Sequence, residues 1–400
     1  YLIKRQDVRF IISAIILLKY SLFTRLQKIL IIFGYFFIYE YAAISRNYAY
    51  GVLLIFLFAV FFRPGFAKNY IILAVILFFL SLMSAYGFLI VIALTGMMIF
   101  EIIIDKELLK NILNIKARLL IALMIILLGL ILSANVMSPP ENSGYSAVLA
   151  NKFDLSRFEI VVGSFWNSYV PIPRLGRLSF WNTNILHDKL ASCIMSLPLF
   201  LFFLFAFSKK IIVSFLFSFT TFLFIAFQYL VYPGFLRHSG HFFVILILCF
   251  WLSKYYQDDD KLKSFFNSRF GKYCDKNRIV VLNIILCIHL CVGLFAGGME
   301  IFRPFTIAPR VANYIIKNDL NKSTILAYID IRASMIAPYI NHPLYYPQGD
   351  RFGTFQIWDK KRTENIDEQI IVERAKRISS ENNSDIVFVL TKKLENDYDS

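Results

Sequence analysis

Charge is scarce in this chain: Asp, Glu, Lys and Arg together make 17% of its 400 residues, while 58% are hydrophobic. Soluble globular domains carry about 25% charged residues, so an ordinary water-soluble class is excluded. Cysteine is sparse too. The five, Cys193, Cys249, Cys274, Cys287 and Cys291, lie in or beside apolar runs with neither CxxC nor metal-ligand spacing, which gives no support to a disulfide framework or a zinc site. Cys287 and Cys291 share a helix face, which reads as packing. There is no GxGxxG, P-loop or nucleophile-elbow motif, so a dinucleotide or soluble hydrolase role has little basis. No internal repeat and no low-complexity linker is visible. The chain opens on Tyr1 and enters an apolar run without the layout of a signal peptide, from which a preceding N-terminal piece is expected.

What the chain has is long apolar runs. They fall near 10–24, 28–44, 48–62, 69–84, 86–104, 117–134, 189–207, 211–232, 236–252 and 279–297. Most approach the length needed to cross about 30 Å of hydrocarbon. The expectation is an α-helical polytopic membrane protein with about ten visible spans over 1–299, a long outer loop at 135–188, and a small C-terminal α/β domain over 300–400.

Lys and Arg give the orientation, because cytoplasmic loops retain positive charge. One alternating set of loops holds eighteen: Lys19, Arg25, Lys28; Arg63, Lys68; Lys106, Lys110, Lys116, Arg118; Lys209, Lys210; and seven between Lys254 and Arg278. The other holds nine: Lys4, Arg5, Arg9; Arg46; Lys152, Arg157, Arg174, Arg177; and Arg237. The first set is read as cytoplasmic, which puts the 39–51 stretch, the 135–188 loop, 232–241 and the C-terminal domain outside. The net charge of +15 then reflects topology and contact with anionic lipid, and nucleic acid is not expected as a partner. Asp258, Asp259 and Asp260 look like a metal-binding cluster but fall in a Lys-rich cytoplasmic loop, so a solvated loop is the better reading.

Within 135–188, Phe165, Trp166, Tyr169, Phe180 and Trp181 interleave with Arg157, Arg174 and Arg177. That pattern suits an element lying in the membrane interface; packing against the bundle is the alternative. Beyond Arg303-Pro304 the composition becomes mixed and charged. STILAYID reads as a strand, ASMIAPYI as a short helix, FGTFQIWD as a strand, ENIDEQIIVERAKRISS as an amphipathic helix and DIVFVLTKK as a closing strand. Alternation of this kind favours a mainly parallel sheet. The aromatic stretch 342–355 is read either as a ligand-facing element or as a structural loop.

Polar groups inside the apolar part are the candidate site. Ile29 to Phe62 is 34 residues, which as one helix would reach about 50 Å, so the chain must turn, and Ser45, Arg46 and Asn47 are the turn residues. This places Glu40, Tyr41, Arg46, Asn47 and Tyr48 at the outer boundary, where ionisable groups are costly unless paired or used. A Glu40–Arg46 ion pair closing the hairpin is the bland alternative. A second constellation, Tyr232-Pro-Gly-Phe-Leu-Arg237-His238-Ser-Gly-His241, puts one arginine and two histidines at another outer hairpin. Arg offers a fork for phosphate oxygens and His can exchange a proton near neutral pH, so with Arg46 they would form a cationic pocket for a lipid phosphate. Snorkelling span ends are the alternative.

The phrase SRNYAYGVLLIFLF, after a Glu-bearing span end, resembles the E-x-R-x-Y-A segment of membrane glycosyltransferases of the GT-C superfamily, the group of protein O-mannosyltransferase-like and aminoarabinose-transferase-like enzymes. FFLSLMSAYGFLIVIAL resembles the next helical pair of that group. The resemblance implies a GT-C-like bundle over about residues 5–300 and transfer of a sugar from a polyprenyl-phosphate donor on the outer face, with an acidic general base. By it Arg46 matches the family arginine and Tyr48 its tyrosine, Glu40 sits farther upstream than the family glutamate, and the essential acid is expected ahead of Tyr1, with Asp7 as a substitute.

The expected roles are therefore catalytic for Glu40 and Asp7, donor phosphate binding for Arg46, Arg237, His238 and His241, and substrate contact for Tyr41, Asn47 and Tyr48. The sequence fixes no cofactor and leaves a divalent metal open. Partners would be the lipid-linked donor, the bilayer and a glycan, lipid or protein acceptor. The expected location is a bacterial inner membrane with the C-terminal domain outside the cytoplasm. Rival readings are a non-enzymatic assembly component, a transporter of lipid-linked glycans, or a glycan polymerase or ligase.

Overall fold

Polar caps set where the helices begin in this computed structural model, which describes residues 2–44, 48–65, 68–144, 152–175, 180–259, 268–392 and 394. Thr24 Oγ1 accepts from the Gln27 N–H while Gln27 Oε1 accepts from the Thr24 N–H, a reciprocal cap that opens a helix. Ser84, Asp105, Asp154 and Asp188 accept backbone N–H groups at four further starts.

The helices in order are α1 (Leu2–Tyr20), α2 (Arg25–Ile32), a π-helical stretch Phe36–Ala43, α3 (Tyr48–Phe61), α4 (Tyr70–Ser81), α5 (Ala85–Ile104), α6 (Lys106–Lys110), α7 (Ile112–Met137), α8 (Leu155–Tyr169), α9 (Lys189–Ala206), α10 (Ile211–Leu230), α11 (Leu236–Leu252) and α12 (Arg269–Phe302). Helix covers most of each of the ten apolar runs. Among the described residues, however, six stretches are long and apolar enough to cross a membrane: Arg25–Ala43, Ala85–Ile104, Ile115–Met137, Lys189–Ala206, Ile211–Leu230 and Arg269–Phe302. α3, α4 and α11 are shorter apolar helices, and a count of about ten rests on including them and α1.

Two kinds of helix face distinguish the bundle. α11 is buried nearly all round, as expected of a helix apolar on every side and enclosed by its neighbours. α7 instead turns Leu120, Met124, Leu127, Leu128 and Ile131 outward, each 46–62% exposed. α8, in the middle of the expected outer loop, packs into the bundle: Phe165 meets the rings of Phe200, Phe217 and Phe242. The 62–69 connection is anchored by Lys68, whose Nζ stands 2.5 Å from Glu101 Oε2 with both side chains buried. Tyr256 and the Gly65 N–H donate to the same carboxylate.

Contacts divide the chain into two units, Tyr1–Ser138 with Ala147–Ile301, and Pro139–Ser146 with Phe302–Ser400. The boundary expected at 300 thus falls at Phe302, and 139–146, expected within the loop of the bundle, belongs to the second unit. Ser143 bridges Asp359, the Gly144 N–H donates to Trp358 O, and the Lys360 N–H donates to Asn142 O.

The second unit is built on a four-stranded sheet with order β3-β2-β1-β4, where β1 is Thr324–Tyr328, β2 Leu344–Tyr346, β3 Arg351–Gly353 and β4 Ile386–Leu390. β1 runs parallel to β2 and β4, and β2 pairs antiparallel with β3. Side chains alternate along β1 as a pleat requires: Ile325 and Ala327 join the core under Ala308–Lys317 and the two short helices Asp330–Ala333 and Ala337–Ile340, while Leu326 meets Ile371, Ala375 and Ile378 of the helix Glu368–Asn382. ASMIAPYI is split rather than one helix, and FGTFQIWD is strand only at its start. The aromatic stretch 342–355 is the β2–β3 hairpin. Arg362 forks onto both oxygens of Asp330 at 2.8 and 2.9 Å, both side chains buried, with its guanidinium 4.2 Å from the Trp358 ring centre.

Candidate functional site

The site begins with a change of helix type. Ordinary α-helix stops at Ile32, and Phe36–Ala43 winds with the wider i to i+5 pattern, the Ile44 N–H donating to Tyr39 O at 3.1 Å. Such stretches recur at functional sites because they redirect side chains. Close backbone approach accompanies it: Gly293 on α12 lies against the 33–35 backbone, where a Cβ would meet Phe33 O. The π-helical stretch sends consecutive residues to different partners. Tyr39 receives a hydrogen bond from Trp181 Nε1 and donates to Glu300 Oε2 at 3.2 Å. Glu40, buried, accepts from the Tyr35 hydroxyl at 2.7 Å. Tyr41, also buried, donates to Arg237 O at 3.1 Å.

The ends of three hairpins then meet. Tyr41 and Tyr48 bring their rings to 5.8 and 5.2 Å from His241, and Tyr48 lies 5.9 Å from His238. Tyr86, at the start of α5, stacks on His241 at 4.6 Å and faces His238 at 5.8 Å. Gln228 Nε2 donates to the Tyr86 hydroxyl and its Oε1 accepts from Ser164 Oγ, a buried relay of 2.9 and 2.7 Å. Gly240 makes this nesting feasible, since a Cβ there would strike the Phe36 ring and the Tyr41 hydroxyl.

The two histidines are held in complementary forms. His238 Nδ1 accepts from the Phe235 N–H at 2.8 Å, which leaves its proton on Nε2. His241 Nδ1 faces His238 O at 2.9 Å, which requires a proton on Nδ1. Arg237, half-buried, lays its guanidinium 4.8 Å from the Phe235 ring centre.

A polar pocket of about 280 Å³ opens beside this cluster, lined among others by Glu159, Asn167, Arg174, Asn182, His187 and Lys189. Asn182 joins the two places: it takes the left-handed conformation, φ +56°, and its Oδ1 accepts from the Leu236 N–H at the head of α11. Asn167 Oδ1 is buried without a hydrogen-bond partner, and neither Glu159 nor Arg174 forms an ion pair, among the described residues. Free carboxylate and free guanidinium in one cavity are chemically useful, as base and as anion holder.

Of the residues expected from sequence, the structure gathers Tyr41, Tyr48, His238 and His241 in one cluster, puts Glu40 on the adjoining turn with its carboxylate toward Tyr35, and sets Arg237 at the edge. Ser45, Arg46 and Asn47 lie outside the described residues, as does the side chain of Asp7 on α1. Sequence reading missed Tyr86, Gln228, Trp181 and Glu300 as members, and Glu159 as a pocket carboxylate. Only Tyr86 carried a local signal, standing in the SAYG break between two apolar runs. Among the described residues no group of three His, Cys, Asp or Glu side chains is placed to hold a metal ion; Asp258 is paired to Lys210 at 2.8 Å, and Asp260 lies outside the described residues. No protein family, curated protein or solved structure matches the chain.

Proposed function

We propose that the chain is an integral membrane protein with about ten spans that transfers a sugar from a polyprenyl-phosphate donor to an acceptor at its non-cytoplasmic face. Support for the membrane comes from the outward apolar stripe of α7 and from six helices of spanning length. Exposed patches of that size are unfavourable in water. Enclosure of α11 explains how a short helix is tolerated, because it has little lipid surface to match. The twofold excess of Lys and Arg in alternate loops supports a non-cytoplasmic position for the cluster.

One observation carries the activity: a polar pocket holding Glu159 and Arg174 adjoins a packed cluster of tyrosines and histidines at one end of apolar helices. In the proposed reaction a cation stabilises the phosphate leaving group as charge develops on it. Glu159 takes the proton of the acceptor hydroxyl, since it opens onto a cavity, whereas Glu40 is buried and bonded to Tyr35. Glu40, Tyr41 and Tyr48 then position the chain around the donor, and Arg46 and Arg237 add positive charge.

A non-enzymatic carrier of lipid-linked glycans is the second reading, favoured by the engagement of His238 Nδ1 in capping α11. Incubating the purified protein with a radiolabelled polyprenyl-phosphate sugar and candidate acceptors separates the two. Label moving into an acceptor supports transfer; tight donor retention with no product over hours sinks it.

A further inference from the structure

Arg174 sits on a boundary between two cavities. The residue lines the polar pocket, yet its neighbours Pro173 and Leu175 line a second, mostly apolar groove of about 660 Å³ that runs along α12. The segment is firmly held: the Ile185 N–H donates to Ile172 O at 2.7 Å, the Arg174 N–H donates to Thr183 Oγ1 at 3.1 Å, and Asn184 Nδ2 donates to Val170 O at 2.7 Å. The wall opposite is one face of α12, where Val280, Ile284, Cys287, Cys291 and Phe295 recur every three or four residues. From Val280 to Phe295 this face extends about 22 Å along the helix axis.

The geometry points to a seat for a phosphorylated single-chain lipid, with its phosphate on Arg174 in the polar pocket and its hydrocarbon chain in the groove along α12. The occupant follows from the pairing. A mostly apolar groove, with Asn283 its one polar lining residue, suits a hydrocarbon chain, and a guanidinium at its edge that forms no ion pair among the described residues, with Lys189 and His187 in the pocket beyond, suits an anionic head. Pro173 and Leu175 would touch the first carbons of the tail while Arg174 forks onto phosphate oxygens. The inference names the seat of the donor and rests on the transferase reading for its biological role, although binding is measured apart from transfer.

Cys287 and Cys291, both exposed on the groove face, report occupancy without any added label. The full-length protein in detergent is treated with a maleimide, alone or with polyprenyl phosphate, with the unphosphorylated polyprenol, or with inorganic phosphate, and alkylation of the two cysteines is followed by peptide mass. Polyprenyl phosphate is expected to slow their alkylation at concentrations where polyprenol and inorganic phosphate do not. Arg174→Ala should raise the half-protecting concentration about tenfold or more, as loss of a charge-assisted contact predicts, with Arg174→Lys recovering part of it. An unchanged alkylation rate without lipid shows that the variants keep their fold. Absence of protection, equal protection by polyprenol, protection by inorganic phosphate alone, or indifference to Arg174→Ala would each overturn the seat. Protection without sugar transfer keeps the seat and removes the transferase reading; transfer without protection does the reverse.

Discussion

Tyr86 lies flat on His241, ring centres 4.6 Å apart and planes 14° from parallel, while its hydroxyl takes the hydrogen bond of a fully buried Gln228 amide. The two residues come from helices far apart in sequence, so this contact fixes α5 against α11. Tyr86→Phe keeps the stacking and strands the Gln228 N–H. The expected loss is about 1–3 kcal/mol, read as a lowered midpoint in detergent thermal unfolding. Tyr86→Phe with Gln228→Leu should recover part of that loss, and a double variant no better than the single would deny the coupling.

Gly240 carries a steric rather than a conformational demand. A methyl group there meets the Phe36 ring and the Tyr41 hydroxyl, so Gly240→Ala should displace Tyr41 from Arg237 O and destabilise the protein by about 1–3 kcal/mol. Tyr41→Phe removes the same hydrogen bond without crowding and should cost less; the reverse order would contradict the packing argument.

Lys68 and Glu101 form a buried pair in which burial pulls the lysine below its usual pKa and Glu101 opposes that. Removing one partner leaves a buried charge, so Lys68→Met or Glu101→Leu should each cost about 3–5 kcal/mol, and the double variant far less than the sum. A thermal double-variant cycle gives the answer.

In the second unit, Asp350 is held below the usual carboxylate range: burial raises it, but hydrogen bonds from Tyr345 and Arg377 prevail. Asp359 is likewise lowered, chiefly by the hydrogen bond from Arg351. Groups lowered on folding contribute stability above their unfolded pKa of about 4 and lose it as pH falls through the folded values. Hydrogen exchange in the intact protein, corrected for intrinsic rates, should therefore show 344–353 less protected at pH 3 than at pH 6. Equal protection would contradict the assignment.

Glu159→Gln tests the proposed base. Sugar transfer should fall by about 10²–10⁴-fold while protection of Cys287 by polyprenyl phosphate is retained. Glu40→Gln, at a buried carboxylate, should lower thermal stability as well as activity.

Much of the fold was legible because hydrophobicity is a local signal. The apolar runs marked the helices, and the short continuous apolar runs of STILAYID and DIVFVLTKK, bounded by polar residues, marked the two longest strands. The π-helical stretch was not legible, since its residues are as apolar as those of the α-helices beside it and its winding depends on contacts such as Gly293 against 33–35. Three-residue strands such as Leu344–Tyr346 are too short to show alternation. The site was half legible: Tyr41, Tyr48, His238 and His241 stood out as polar residues in apolar surroundings. Glu159, Gln228 and Glu300 look like ordinary polar residues on their own helices, and only partners far along the chain give them meaning.

The strand-like pairing of Ser143 with Asp359 has a consequence for biosynthesis. The second unit includes a piece translated before α8 and completes its contacts only after the ribosome has passed Lys360, so residues 139–144 must wait without their partners, open to proteases, while the later helices are made. Arrest of translation just ahead of Trp358 would leave that segment cleavable, and release of the finished chain would close it.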